Sequence, residues 1–252
     1  MNEKLEFLKV TLEERIATVV LDRAARMNAL STSLRDEIER CFALLSSNDE
    51  VHAVVLTGGE DIFSAGFDIR EIVDKGLDSF THRILEYHRC IYEFPKPVVT
   101  AVGGFALAGG FDLALCGDVI IASETAIFGH PEVRFGINPL LSPLWRKVGL
   151  AKAVEIAMTG ETINAHEAYR IGLVNKIVPS ADLLNEAVAI ARKLSKIDRA
   201  ALLAVKRASA VVHRLDMAAG LEYEFGMSAE ILRGPDLRQR VESYARKVGL
   251  IA

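Results

Sequence analysis

Three stretches of the chain set glycine beside polar residues at the end of a predicted strand. The first is Thr57-Gly58-Gly59 followed by Phe63-Ser64-Ala65-Gly66-Phe67-Asp68, and the second runs GGFALAGGFD from Gly103 to Asp112. The third is Phe128-Gly129-His130-Pro131-Glu132, with Gly136 and Pro139 beyond it. A strand that ends in small residues and opens into a helix leaves the first helical N–H groups unpaired, aimed at whatever lies above the turn. Two such turns side by side can offer two donors to one oxygen, the arrangement that stabilises an oxyanion. The plainer alternative is that the glycines only make tight turns. Neither of the first two stretches fits G-x-G-x-x-G or a phosphate loop ending in Gly-Lys-Ser/Thr, which disfavours nucleotide binding of those kinds. Ser64 and Ser142 lack the setting of a nucleophile elbow.

The elements that would hold these loops follow from the hydrophobic pattern. Ile16 to Leu21, Ala53 to Thr57, Val98 to Val102 and Val119 to Ala122 read as β-branched strands separated by helical patterns. Ser31 is a plausible N-cap for a helix to Ser46, with Leu34, Ile38, Phe42 and Leu45 on one buried face. After a last short strand, Leu173 to Val178, helices dominate: Ala181 to Ser195, Arg199 to Arg214 and Met217 to Arg233. The expected organisation is an α/β core over residues 1–190 and a helical subdomain over 191–252.

Composition narrows the class. The 252 residues carry 30 Lys and Arg against 34 Asp and Glu, a formal charge of −4, with no long block of one sign. That argues against a nucleic-acid binder or a polybasic membrane anchor. The uncharged stretch between Lys96 and Asp112 is broken by proline and glycine and is too short to cross a bilayer. Met1 to Leu8 is charged and has no signal-peptide core. Cys41, Cys90 and Cys116 show no metal spacing and fit a reducing cytosol, so a cytoplasmic protein with neither a nucleic-acid nor a membrane partner is expected.

Several motifs then occur in a familiar order: VVLDRAARMNALS from Val19, AVVLTGGEDIFSAGFDIREI from Ala53, GGFALAGGFDLALCGDVIIAS from Gly103, AIFGHPEVRFGINP from Ala126 and AMTGETINAHEAYRIGLVNKIVP from Ala157. Together they resemble the crotonase superfamily, the enoyl-CoA hydratases and isomerases, over nearly the whole chain. The resemblance implies a ββα spiral core with a C-terminal helical extension that packs against neighbouring subunits in trimers or hexamers. It implies that the Phe67 and Gly109 N–H groups form the oxyanion hole for a thioester carbonyl. Ala65, Gly66, Asp68 and Leu140 fall in the substrate and CoA site, while Arg23, Arg26 and Arg70 stand where basic residues lie near CoA phosphates. For the arginines, a solvated surface charge is the alternative.

Catalysis in such hydratases rests on two glutamates, at the positions of Asp112 and Glu132 here. They hold a water, add its oxygen to C3 of an enoyl thioester and deliver a proton to C2. Asp112 is one methylene shorter than the family glutamate and could instead cap the Gly109-Gly110 helix start. The segment Pro139-Leu140-Leu141-Ser142-Pro143-Leu144-Trp145-Arg146 lacks the usual glycines and should give the acyl pocket a bulkier wall. Where the family has glutamine this chain has His130, read as a pocket or structural polar residue, and Trp145 is read as packing. The expected activity is reversible hydration of a trans-2-enoyl-CoA. The alternatives are Δ3,Δ2-enoyl-CoA isomerisation, a related thioester hydrolysis or decarboxylation, and a non-catalytic CoA-binding scaffold. No metal or redox cofactor is implied, because CoA arrives as part of the substrate.

Overall fold

The structure, a computed structural model, describes residues 5–235 and 237–251. The first four residues of the charged stretch from Met1 to Leu8 therefore lie outside the described part. Ten strands form among the described residues: β1 (Leu8–Glu13), β2 (Ile16–Leu21), β3 (Ala53–Thr57), β4 (Ile62–Ser64), β5 (Val98–Val102), β6 (Phe105–Leu107), β7 (Val119–Ser123), β8 (Ile127–Gly129), β9 (Thr162–Asn164) and β10 (Lys176–Val178). They make two sheets. The larger has the order β1-β2-β3-β5-β7-β10 and is parallel except for the β1-β2 pair. The smaller has the order β4-β6-β8-β9, with only β8-β9 antiparallel. Strands β3, β5 and β7 each hand the chain to the next strand of the small sheet, so three successive units wind from one sheet to the other.

The large sheet is buried on both faces, and its sequence shows why. Val54, Leu56, Val98, Val102 and Ile120 join the main core with the apolar face of α1 (Thr32–Ser47), where Leu34, Ile38, Phe42 and Leu45 are fully buried. Ser31 caps that helix, its hydroxyl accepting from the Leu34 N–H at 3.3 Å. The alternate residues Ala53, Val55, Val99, Ala101 and Ile121 face the other way and pack under Leu183, Ala187 and Ala191. Strands apolar at nearly every position suit a parallel sheet covered on both sides.

The second covering layer moves the expected boundary. The chain divides into two compact units, up to Lys196 and from Ile197 onward. A cut at 190 would split the helix Leu183–Ser195, whose alanines lie against the sheet. The remaining helices of the first unit are α2 (Ile69–Lys75), α3 (Leu77–Thr81), α4 (Ile84–Tyr92), α5 (Gly109–Leu115), α6 (Leu141–Val148), α7 (Leu150–Thr159), α8 (Ala165–Arg170) and α9, the Leu183–Ser195 helix. The second unit holds α10 (Arg199–Val211), α11 (Met217–Leu232) and α12 (Leu237–Lys247). Asp198 and Asp216 cap α10 and α11. On α11, Met217, Leu221 and Phe225 are exposed and Ile231 is half-buried. No helix among the described residues is long and apolar enough to cross a membrane. Cys41 and Cys116 are buried and Cys90 half-buried, and none of the three is in a disulfide. Burial pushes the Cys41 thiol up to about 12.

Candidate active site

The functional loops are the ends of the small sheet's strands. After β4 the chain turns through Gly66, which holds φ at +95°, a conformation open to glycine at little cost. The segment is pinned on one side, where Leu30 N–H donates to the Gly66 carbonyl at 2.8 Å and Ala65 N–H to that of Met27 at 3.0 Å. Asn28, fully buried in a left-handed conformation, completes the anchor. Its amide nitrogen lies within 3.1 Å of the carbonyl oxygens of Gly58, Ile62 and Phe63, and its oxygen accepts from Arg23 N–H. The Phe67 ring meets Phe80 edge-on at 4.9 Å and takes the Arg35 guanidinium at 5.3 Å.

After β6, Ala108 takes φ +49°, ψ −128° and starts α5. A non-glycine residue there is strained, and such strain concentrates at functional sites. Ala108 is held by its N–H on the Gly129 carbonyl at 2.9 Å, while its own carbonyl accepts from Phe111 and Asp112 N–H. Gly109 follows as the first helical residue. A Cβ there would stand 2.4 Å from the Phe67 ring, so only glycine allows the two loops to close on each other. Among the described hydrogen bonds neither Phe67 N–H nor Gly109 N–H donates to a protein acceptor, and both residues line one cavity.

That cavity, of about 290 Å³, is mainly apolar, with Ile72, Phe80, Ile84, Leu107, Ile137 and Leu140 in its wall. Asp112 and Glu132 are its acidic residues. Asp112 comes from the first turn of α5, and Glu132 from the 3-10 turn Pro131–Phe135, which Pro131 starts with its fixed φ. Both are buried. Burial first, and then the charge of Glu132, push the Asp112 carboxyl well above its ordinary value. Both causes favour the protonated form of Asp112, which can donate a hydrogen bond as well as accept one.

His130 completes the cluster. Its Nδ1 is 2.9 Å from Glu132 Oε1 and its Nε2 is 3.9 Å from Asp112 Oδ1. Asp112 Oδ1, His130 Nε2 and Glu132 Oε2 are all buried without a hydrogen-bond partner. Native interiors rarely leave such groups unpaired away from function. The Phe111 ring covers the imidazole at 4.8 Å. Tyr92, which the sequence did not single out, donates its hydroxyl to the Asp112 main-chain carbonyl at 2.5 Å and so ties α4 to α5.

The structure thus brings Ala65, Phe67, Gly109, Asp112, Glu132 and Leu140 together on one cavity, with Gly66 buried just beneath. Asp112 does not cap its helix, since no side chain bonds the first N–H groups of α5. Arg23 and Asp68 do not line the cavity; they pair with each other at 2.7 Å. Asp68 also caps α2 through Arg70 and Glu71 N–H. Burial alone would raise its carboxyl, but these bonds and the Arg23 charge bring it below the ordinary value. Arg26 and Arg70 are exposed outside the cavity wall. The 139–146 segment contributes Leu140 to the cavity, while Trp145 packs on the core and does not reach it.

The sequence profile described as enoyl-CoA hydratase/isomerase matches residues 11–249. The chain belongs to this family. It is 33% identical over 248 residues to the probable mitochondrial enoyl-CoA hydratase of Dictyostelium discoideum, covering 96% of this chain and 90% of that one. The short-chain-enoyl-CoA hydratase of Clostridium acetobutylicum is 35% identical over 255 residues, covering 96% and 97%. The crystal structure of enoyl-CoA hydratase from Bacillus anthracis superposes with a TM-score of 0.91 at 28% identity, over 96% of this chain and 97% of that one. A structure titled as a putative hydratase from Streptomyces coelicolor gives 0.90 at 28% identity, over 98% and 94%. The crotonase fold read from the motifs is therefore borne out, and the protein is an enzyme of the enoyl-CoA hydratase/isomerase kind.

Proposed function

We propose that the enzyme adds water reversibly across the C2–C3 double bond of a trans-2-enoyl-CoA. The observation that carries this reading is the pair of unpartnered N–H groups, Phe67 and Gly109, on the same cavity as the buried Asp112 and Glu132. Negative charge builds on the thioester oxygen as the nucleophile reaches C3, and two fixed backbone donors stabilise it more in the transition state than in the ground state. Glu132, as carboxylate, takes a proton from water while the water oxygen bonds to C3, then gives that proton to C2 on the same face. Asp112, in the protonated form that burial favours, donates a hydrogen bond that orients the water. One water is consumed and Glu132 ends as it began, so the step draws on no metal or redox cofactor.

Arg26 and Arg70, exposed and with no side-chain partner among the described residues, are the side chains we assign to the CoA phosphates. In this reading Arg23 acts through Asp68. The exposed apolar stripe of α11 supports assembly into a trimer or hexamer, which light scattering checks. A cytoplasmic location fits three cysteines that form no disulfide.

A second reading, Δ3,Δ2-enoyl-CoA isomerisation, is favoured by the upward shift of the Asp112 carboxyl, since moving a proton between C2 and C4 needs only one ionised carboxylate. Purified enzyme is given crotonyl-CoA and, separately, a 3-enoyl-CoA, and the conjugated-thioester absorbance is followed. Loss with the first supports hydration, and gain with the second supports isomerisation. If neither changes, a CoA-release assay tests hydrolysis and a CoA-binding titration tests a scaffold role.

A further inference from the structure

We propose that His130 is the positioning residue for Glu132: its Nδ1–H holds Oε1, which leaves Oε2 as the oxygen that takes and returns the proton. The proposal rests on the reading of Glu132 as the acid/base. Three observations on the cluster support it. The imidazole is fully buried, with Phe111 against its face, so it cannot turn away to solvent. Its single direct bond in the cluster, 2.9 Å from Nδ1 to Glu132 Oε1, can only run from N–H to oxygen when Glu132 is a carboxylate. The opposite nitrogen is 3.9 Å from Asp112 Oδ1, too far for a bond, and neither atom has another partner.

Geometry explains why such a residue is needed. Glu132 leaves a short 3-10 turn, and no other described hydrogen bond fixes its carboxylate. A carboxylate free to rotate would offer the reacting water either oxygen at varying distance, and misplacement by about 1 Å can cost on the order of a hundredfold in rate. Pro131, between the two residues, limits the backbone that connects them. The ionisable groups that face the ring are Asp112 from α5 and Glu132 from its own turn. Tyr92 reaches only the main chain of Asp112.

The test uses three variants and one spectrum. The enzyme labelled with 15N-histidine is expected to show the Nδ1–H tautomer of a buried ring; an Nε2–H tautomer overturns the proposal, whatever the substrate proves to be. His130→Leu is expected to lower kcat by about a hundredfold with KM within about threefold, because binding is untouched and only orientation is lost. His130→Asn places an amide N–H where Nδ1 sits and should recover to within about tenfold of the parent. An unchanged kcat in His130→Leu, a KM that rises in step, or an Asn variant no better than the Leu variant each overturns the proposal. Should His130→Leu not fold by circular dichroism, His130→Asn is compared with His130→Gln, whose amide lies nearer the Nε2 position. Greater activity in the Asn variant supports the proposal, and equal or greater activity in the Gln variant overturns it. A parent enzyme inactive on both crotonyl-CoA and 3-enoyl-CoA would sink the functional reading instead, and the tautomer would still decide the role of the ring.

Discussion

The two sheets of the first unit divide the labour of the molecule. The six-stranded sheet is made of strands of up to six residues whose central members are apolar at nearly every inward and outward position, and it holds the two hydrophobic layers. The four-stranded sheet has strands of three residues each, yet every group proposed for chemistry stands at the end of one of them. Stability and chemistry have been placed on separate layers of one winding chain, so substitutions in the two should fail in different ways.

The largest contrast is expected at Glu132. Glu132→Gln should cut kcat with crotonyl-CoA by about three orders of magnitude, as loss of a general acid/base does, with the thermal unfolding curve scarcely moved. Gly109→Val comes next. The new side chain would collide with the Phe67 ring and separate the two donors, lowering kcat/KM by about a hundredfold, comparable to the loss of one oxyanion donor. The large sheet should show the reverse pattern. Ile121→Ala, on the face under α9, should cost about 2–5 kcal/mol in urea unfolding and leave kcat within about twofold of the parent. Activity loss in the folded fraction of that variant would break the division.

The smallest effect sharpens it. Asp112→Asn keeps a hydrogen-bonding side chain of the same size, so its kcat should fall far less than that of Glu132→Gln. Its stability should depend on pH with a definite sign. The folded carboxyl is raised above its ordinary value of 3.8, so below that value both states are protonated and the group is neutral to folding. As pH climbs above it, the unfolded chain ionises while the folded one does not, and stability is lost. The Asn variant should therefore melt at a higher temperature than the parent at pH 8 and at the same temperature at pH 3.5. Equal melting temperatures at pH 8 would show that the folded Asp112 carboxyl is not raised above its ordinary value.

The same contrast decided what could be read from the amino acids. Ile16 to Leu21 or Val98 to Val102 announce themselves because β-branched residues repeat over a long enough window. Ile62–Ser64, Phe105–Leu107 and Ile127–Gly129 do not, because three residues beside glycine carry no period and look like turns. Strand β1, four of whose six residues are exposed, was also not visible, nor was α12, which buries no residue and so shows no strong apolar stripe. The motifs nevertheless pointed to Phe67, Gly109, Asp112 and Glu132, and these converge. Contacts far apart in sequence stayed hidden. Arg23 was expected near the CoA phosphates and Asp68 in the CoA site, but the fold pairs the two with each other across a separation of 45 positions. Asn28 gave no sign that it joins three carbonyls more than 29 positions away. The partner of His130 was only two residues distant, and the visible signal was the rigid His-Pro-Glu sequence itself.

The winding also imposes a timetable. Phe67 belongs to the first pass between the sheets, Gly109 and Asp112 to the second, and His130 and Glu132 to the third. Strand β6 lies between β4 and β8, so the third pass has no edge to join until the second is in place. A chain emerging from the ribosome therefore completes its grip on a carbonyl before it can carry the carboxylate that moves protons, and the last part of the site to be synthesised is the part that makes it reactive.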